Sequence, residues 1–383
     1  MDFYEKMNVE PLINASETYT NLGGSLMDER VLQAMREAGN HFVDMGKLLD
    51  QVCSRAAKLS GNEGAFVTTG AAGGVILSAA ACICGKDEEL LDRIPHLKDV
   101  VRKEILVFDG EFLDLIPYWK LIGLTGAVIR KVEPTVEAML QAVDERTAAV
   151  FLFPATLYEK GIPTCEEIIP KLKEKGVTVV VDAAAQLPPP SNLWYYTKEL
   201  GADLVIFSGG KHIRGPQCTG LIAGRRDLTE SCRMAASPNP RIGRAFKTGK
   251  EELAGFITAL ELFVNEDPKK RFAQQESMLQ RMQQILKRTD GVKTELIREG
   301  RLGTYQPLLL VTLPDGMTAE ACNRFTRASK PAIDVGVYGP EFGMPENLIF
   351  LNAYNLKEGE DQIVAETVSR FVEESYKTKS SEA

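Results

Sequence analysis

The sequence predicts an α/β protein. A large domain would carry a mainly parallel sheet, and a small α+β domain would follow at the C-terminus. Three observations predict this. Short β-rich runs at 105–108, 127–132, 150–153, 177–181 and 204–207 alternate with helical segments, the pattern of parallel strands joined by crossover helices. The rhythm breaks at Asn265-Glu266-Asp267-Pro268, after which helices and strands mix irregularly. The length, 383 residues with 44% hydrophobic side chains, suffices for two cores. The expected division is an N-terminal arm over 1–27, a large domain over 28–264 and a small domain over 265–383.

The elements follow in chain order. Residues 12–25 start strand-like and turn at Gly23-Gly24, an arm expected to pack on the large domain. Residues 28–60 read as helical, with Val31, Met35, Val43, Leu48, Val52 and Leu59 as apolar positions. A lone histidine there, His41, reads as structural. Residues 85–104 are charged and contain Pro95, which suggests a surface helix and an irregular crossover that exposes His96. Thr164 and Glu167 have capping-box spacing, and Pro170 is expected to bend that helix or delay its start. Residues 187–196, three prolines and an aromatic cluster, read as boundary packing. A strand over 219–223 follows 204–207 too closely for a crossover helix, so it should run antiparallel. A helix over 250–264 has Thr248 and Glu251 as a candidate capping box and a stripe of Leu253, Phe256, Ile257, Leu260 and Phe263. Beyond it, 269–290 should be a polar helix, 304–313 a strand, 319–328 a helix, 349–351 a strand and 359–374 a helix. The tail KTKSSEA should lack fixed structure.

Three stretches carry chemistry. In DLVIFSGGKHIRGPQCTG (203–220), an apolar run stops at Ser208-Gly209-Gly210 and Lys211 follows. A lysine just past a core strand, with glycines turning the backbone, fits an amine presented into a cleft. A surface lysine in a hairpin fits this window equally well. In VTVVVDAAAQL (177–187), a β-branched run ends in Asp182, at the strand end where open α/β sheets bind ligands. Pyridoxal phosphate (PLP) enzymes need such a pair: a lysine for the Schiff base, and a carboxylate that keeps the pyridine nitrogen protonated. Thr68-Thr69-Gly70-Ala71-Ala72-Gly73-Gly74 precedes an alanine-rich run, and a helix starting there offers free N–H groups to a phosphate. Phosphate loop, aspartate and lysine in that order form a stronger signal than any one of them. A fourth stretch, 233–252, concentrates Arg241, Arg244, Lys247 and Lys250 in an acidic chain. It is either a solvated loop or an anion site for a substrate carboxylate or phosphate.

Composition narrows the classes. The net charge of −8 gives no bulk attraction to nucleic acid or an anionic membrane. No apolar run is long enough to span a bilayer, and the first residues do not read as a signal peptide. Seven scattered cysteines do not suggest a disulfide framework. Cys82 and Cys84 fall inside an apolar helix and read as packing, with no metal site. A cytoplasmic location is the expectation.

INAS (13–16), LGGS (22–25), TTGAAGG (68–74), VDAAAQLPP (181–189), FSGGKHIRGPQ (207–217) and IGRAFKTGKEE (242–252) together resemble fold-type I PLP enzymes of the selenocysteine synthase-like group. That group includes L-seryl-tRNA selenium transferase and the smaller D-glucosaminate-6-phosphate ammonia-lyases. The resemblance implies a seven-stranded sheet in the large domain. It implies PLP held by Lys211 and Asp182, with Thr69, Gly70, Ala71, Ala72, Ser208 and Gln186 around it. Arg244, Lys247, Asn14 and Arg214 fall on the substrate side, with Ser16 beside Asn14. A ring-stacking side chain is expected from 108–119, with Glu111 and Phe112 nearest, and 153–161 should rim the cleft. A homo-oligomer, dimer or higher, would build its sites at the subunit interface. The implied reaction is α,β-elimination on a hydroxylated, anionic amino acid such as D-glucosaminate 6-phosphate, giving a 2-oxo acid and ammonia. A racemase or an aldolase would use the same lysine and aspartate. Selenium transfer fits less well, since the chain reads as lacking the tRNA-contacting N-terminal domain. A PLP-binding protein without catalysis is the reading from another class.

Overall fold

The chain divides between Gly24 and Ser25 and between Glu266 and Asp267 into two units. The computed structural model describes residues 3–110, 117–154, 161–300, 304–340 and 343–382. β1 (Leu12–Ala15) lies in the smaller unit. The larger unit carries β2 (Gly64–Thr69), β3 (Glu104–Phe108), β4 (Val128–Val132), β5 (Thr147–Leu152), β6 (Val179–Asp182), β7 (Leu204–Ser208) and β8 (Thr219–Gly224). They form a seven-stranded sheet in the order β2-β8-β7-β6-β5-β3-β4. β3 through β7 pair in parallel, and β8 runs antiparallel to both β7 and β2. This is the mainly parallel sheet that the βα rhythm predicts, with the seven strands that the resemblance implies.

β5, β6 and β7 are continuous apolar runs because helices cover both faces of a parallel sheet. Phe151 and Phe207 are fully buried there, each contributing about 1.5–3 kcal/mol of burial. The helix Gly70–Cys84 lies on β8 and β7. It is built of small residues because the approach is close: a Cβ on Gly74 would stand 2.7 Å from Ile206 Cγ2.

Several elements differ from expectation. The single helix over 28–60 is two, Glu29–Gly39 and Met45–Leu59, each capped by an aspartate side chain, Asp28 or Asp44. The first helix ends at its C-cap Asn40, Asp44 starts the second, and Phe42 and Val43 between the two are exposed. The Thr164–Glu167 capping box forms. Pro170 does not delay that helix, which starts at Cys165 directly after its cap and continues past Pro170 to Glu174, with Ile168, Ile169 and Leu172 buried. The helix Lys250–Asn265 is capped at Gly249, one residue beyond Thr248. Glu251 therefore misses the capping-box position and pairs with Lys250. No helix among the described residues is long and apolar enough to cross a membrane.

The smaller unit holds β1 with β9 (Lys293–Ile297), β10 (Leu308–Thr312), β11 (Ala332–Val337) and β12 (Leu348–Leu351). Their order is β1-β11-β12-β10-β9, antiparallel apart from β1 with β11. The arm therefore departs from its expected place on the large domain. Its strand joins the C-terminal sheet because Ile13 and Ala15 are buried with Ile333, Val335 and Leu351. Its anchor is buried Asp334, which accepts from Ser16 Oγ and from Arg327 Nε, the latter at 2.6 Å. Helices Pro268–Leu286, Ala319–Arg327 and Glu360–Glu382 complete the unit. The last runs through the expected unstructured tail, because a nucleated helix gains one backbone bond with each added residue.

Candidate active site

Lys211 stands three residues past the end of β7, in a turn closed by backbone bonds. Gly209 N–H donates to Thr219 O at 2.8 Å, Gly215 N–H to Gly209 O at 2.8 Å, and Arg214 N–H to Lys211 O at 3.0 Å. Glycine is required twice. A Cβ on Gly209 would collide with Thr219 Oγ1, and one on Gly210 with Gln217 Cα. Lys211 is half-buried, while the next residue, His212, is buried.

Asp182 ends β6, the parallel neighbour of β7, in register with Ile206. Its Oδ1 accepts from Ala184 N–H at 3.2 Å. Burial pushes its pKa up to about 6, against the opposing pull of that N–H and of the positive charge on Lys211. The aspartate and the lysine therefore lie within each other's field.

The third part is the start of the helix Gly70–Cys84. Gly70 has φ +64° and its N–H donates to Cys218 O at 2.7 Å, so that N–H is already engaged. A Cβ on Gly220 of β8 would collide with the backbone of Gly70 and Ala71. No side chain caps the helix, leaving its first-turn N–H groups, at Ala71 and Ala72, to a ligand. Thr68 Oγ1, buried beneath this turn, meets no hydrogen-bond partner among the described residues. An uncapped helix start, an orphan hydroxyl, a carboxylate at a strand end and an adjacent lysine fit the phosphate, ring nitrogen and aldehyde of PLP.

The remaining site residues divide. Thr69 Oγ1 donates to Phe246 O at 2.5 Å, tying the phosphate loop to the basic loop. Ser208 pairs through its backbone with Gly220. Gln186 is buried and donates from Nε2 to Pro154 O at 2.9 Å, bridging the segments after β6 and β5. Arg214 donates from Nε to Leu26 O at 2.8 Å. Arg241 and Lys250 pair with carboxylates, Arg241 with Glu88 and Asp92 and Lys250 with Glu251. Arg244 and Lys247 are exposed and have no ion pair among the described residues. They edge a cavity of about 380 Å³ whose apolar lining includes Leu49, Phe66, Val67 and Leu253. Asn14 belongs to the smaller unit. Its Nδ2 donates to Glu17 O at 2.9 Å, and its Oδ1 accepts from Ser16 N–H at 2.9 Å. Glu111 and Phe112, and most of the expected cleft rim, lie outside the described residues.

Sequence reasoning missed Ser25 and Thr68 as individuals, although both lie in motifs it quoted. Ser25 N–H donates to Gly210 O at 3.0 Å, and its Oγ lies 2.7 Å from Lys211 O. The signal was the Gly-Gly-Ser run, which reads only as a turn.

Comparison with known proteins agrees with this fold. The aminotransferase class-V family model matches residues 103–243. The 5'-C-glycyluridine monooxygenase-decarboxylase of a Streptomyces species is 32% identical over 344 residues, 86% of this chain and 83% of that one. The D-glucosaminate-6-phosphate ammonia lyase of Salmonella typhimurium is 27% identical over 266 residues, 68% of this chain and 69% of that one. A solved D-glucosaminate-6-phosphate ammonia-lyase structure shares the fold, with a TM-score of 0.82 and 24% identity, covering 98% of this chain and 99% of that one. With the 32% identical relative matched over most of both chains, the chain belongs to the fold-type I PLP-dependent enzymes of the selenocysteine synthase-like group, and its cofactor is PLP.

Proposed function

We propose that this PLP-dependent lyase carries out α,β-elimination on a hydroxylated, anionic amino acid such as D-glucosaminate 6-phosphate, releasing a 2-oxo acid and ammonia. The observation that carries the reading is Asp182 and Lys211 at adjacent parallel strand ends, next to an uncapped helix start. The anionic preference is supported by Arg244 and Lys247, two exposed cations without ion pairs among the described residues. The ammonia-lyase relative acts on such a substrate by its name.

Each residue has a task in this scheme. Lys211 would anchor the cofactor, and its Nζ, as a free amine, would take the proton from Cα. Asp182 holds a proton at the pyridine nitrogen. Bound PLP supplies the sink for the electron pair left at Cα. Lys211 would then return its proton to the departing Cβ oxygen, so that the hydroxyl leaves as water; the enamine released tautomerises to an imine, and one water hydrolyses that to the 2-oxo acid and ammonia. Arg244 and Lys247 hold the anionic end of the substrate.

The 32% relative supports a second reading, oxygen-dependent decarboxylation of an amino acid borne on a nucleoside. Asp182 and Lys211 serve that chemistry too. One experiment separates the two. The enzyme is incubated in heavy water with D-glucosaminate 6-phosphate, a panel of D- and L-amino acids and 5'-C-glycyluridine, and followed by proton NMR and an oxygen electrode. Cα exchange with release of 2-oxo acid and ammonia, and no oxygen uptake, is expected. Oxygen uptake with loss of carbon dioxide overturns elimination in favour of the second reading. Exchange with inversion and no ammonia would make the enzyme a racemase.

A further inference from the structure

We infer that Ser25 is a positioning residue that clamps the turn carrying Lys211; the inference rests on Lys211 being the cofactor-bearing lysine. Gly23 and Gly24, at φ +89° and +77°, lead the chain into Ser25. There the backbone N–H donates to Gly210 O at 3.0 Å, and Oγ lies 3.0 Å from Gly210 O and 2.7 Å from Lys211 O. A hydroxyl has one proton to give, and the nearer acceptor is the carbonyl of Lys211. That carbonyl also receives Arg214 N–H at 3.0 Å, so both its lone pairs are engaged.

Arg214 closes the clamp from the other side. It adopts φ +61°, a left-handed conformation that a side chain other than glycine rarely takes without compensation. Its Nε donates to Leu26 O at 2.8 Å. Residues 25–26 and 210–214 are thus stitched together in both directions.

The consequence is specific to the amine. Four flexible bonds separate Lys211 Cα from Nζ, so the placement of the backbone sets how often Nζ meets the cofactor aldehyde. The bond in question joins Nζ to the aldehyde carbon, with loss of one water. Loosening the turn weakens that covalent step and spares binding of the phosphate at the helix start.

A double-mutant cycle tests this, comparing wild type, Ser25→Ala, Lys211→Ala and the double variant. PLP affinity, borohydride capture at residue 211 read by mass spectrometry, and the pH midpoint of the visible absorption band are measured. Losing one hydroxyl bond should lower PLP affinity and capture by about three- to tenfold in the Lys211 background, and shift the pH midpoint. It should leave PLP affinity unchanged when Lys211 is already alanine. Ser25→Thr, which keeps the hydroxyl, should restore capture. If Ser25→Ala does not fold, Ser25→Cys, of similar size with a weak donor, should give the same result. An equal loss of affinity in both backgrounds, or an unmoved pH midpoint, overturns the inference. Failure to capture wild-type Lys211 overturns the lysine assignment itself, whatever Ser25 does.

Discussion

Asp182 is a carboxylate placed where its charge is costly until a cation meets it. Burial lifts its pKa to about 6, above the unfolded value of about 3.9. A group raised on folding contributes stability that is fully present below the unfolded pKa and lost as pH rises through the folded one. Cofactor-free protein should therefore lose on the order of 2 kcal/mol from this residue between pH 4 and pH 8. Asp182→Asn removes the titration. Cofactor-free Asp182→Asn should be more stable than wild type at pH 8, with the difference fading towards pH 4, as read by urea unfolding across that range. A difference that does not vary with pH would separate it from the buried charge. With PLP bound the order reverses in function: the amide cannot hold the ring proton, and turnover should fall by at least about a hundredfold. Both Asp182 and Lys211 were legible in the sequence because each is an ionisable residue at the end of an apolar run, followed or preceded by small residues. Ser25 was not, because its hydroxyl acts on carbonyls 185 and 186 positions away. The sequence likewise does not show that Pro154 O receives the Gln186 amide.

The proposed phosphate cradle is a property of two elements, the start of the helix Gly70–Cys84 and the strand β8 crossing beneath it. Gly220 is where they meet, and both sides of that contact are backbone. Gly220→Ala should destabilise the protein by about 1–3 kcal/mol and weaken PLP binding as the helix start is pushed away. Gly123→Ala is the control, since among the described residues its added methyl would meet only Ile129 Cδ1, at 3.7 Å. Thermal unfolding and PLP titration of both variants check the pair; equal behaviour would mean that the cradle tolerates displacement. The elements that build this site were the readable ones. β6 and β7, which end at Asp182 and before Lys211, are continuous apolar runs because helices cover both faces of the sheet. The smaller unit was harder to read. β9, Lys-Thr-Glu-Leu-Ile at a sheet edge, starts with three polar residues, and β11 hides Asp334 inside an apolar strand, where Arg327 and Ser16 satisfy it. The break after Gly39 was missed because the apolar spacing continues through it, while the cap at Asp44 resets the helix.

At the scale of the whole molecule, the chain carries a net charge of −8, yet one loop exposes Arg244 and Lys247 without ion pairs among the described residues. Arg241 and Lys250 in the same loop are neutralised by Glu88, Asp92 and Glu251, which separates two structural cations from two available to a ligand. Arg244→Ala should weaken anionic substrates by about tenfold or more, the value of a charged hydrogen bond, and neutral ones much less. The resemblance implies that such a loop serves the site of a second copy, and that is open to a direct test. Lys211→Ala and Arg244→Ala are each purified, shown to be impaired, then mixed and allowed to exchange subunits. If Arg244 acts across a two-fold interface, each mixed dimer holds one site with both residues intact and one with neither. Random exchange makes half the dimers mixed, so about a quarter of wild-type activity should return. If Arg244 serves the site of its own chain, every site lacks one residue and mixing restores nothing. Recovery that grows with the time allowed for exchange would place the substrate's anionic end between two copies of the chain; its absence would confine the active site to one.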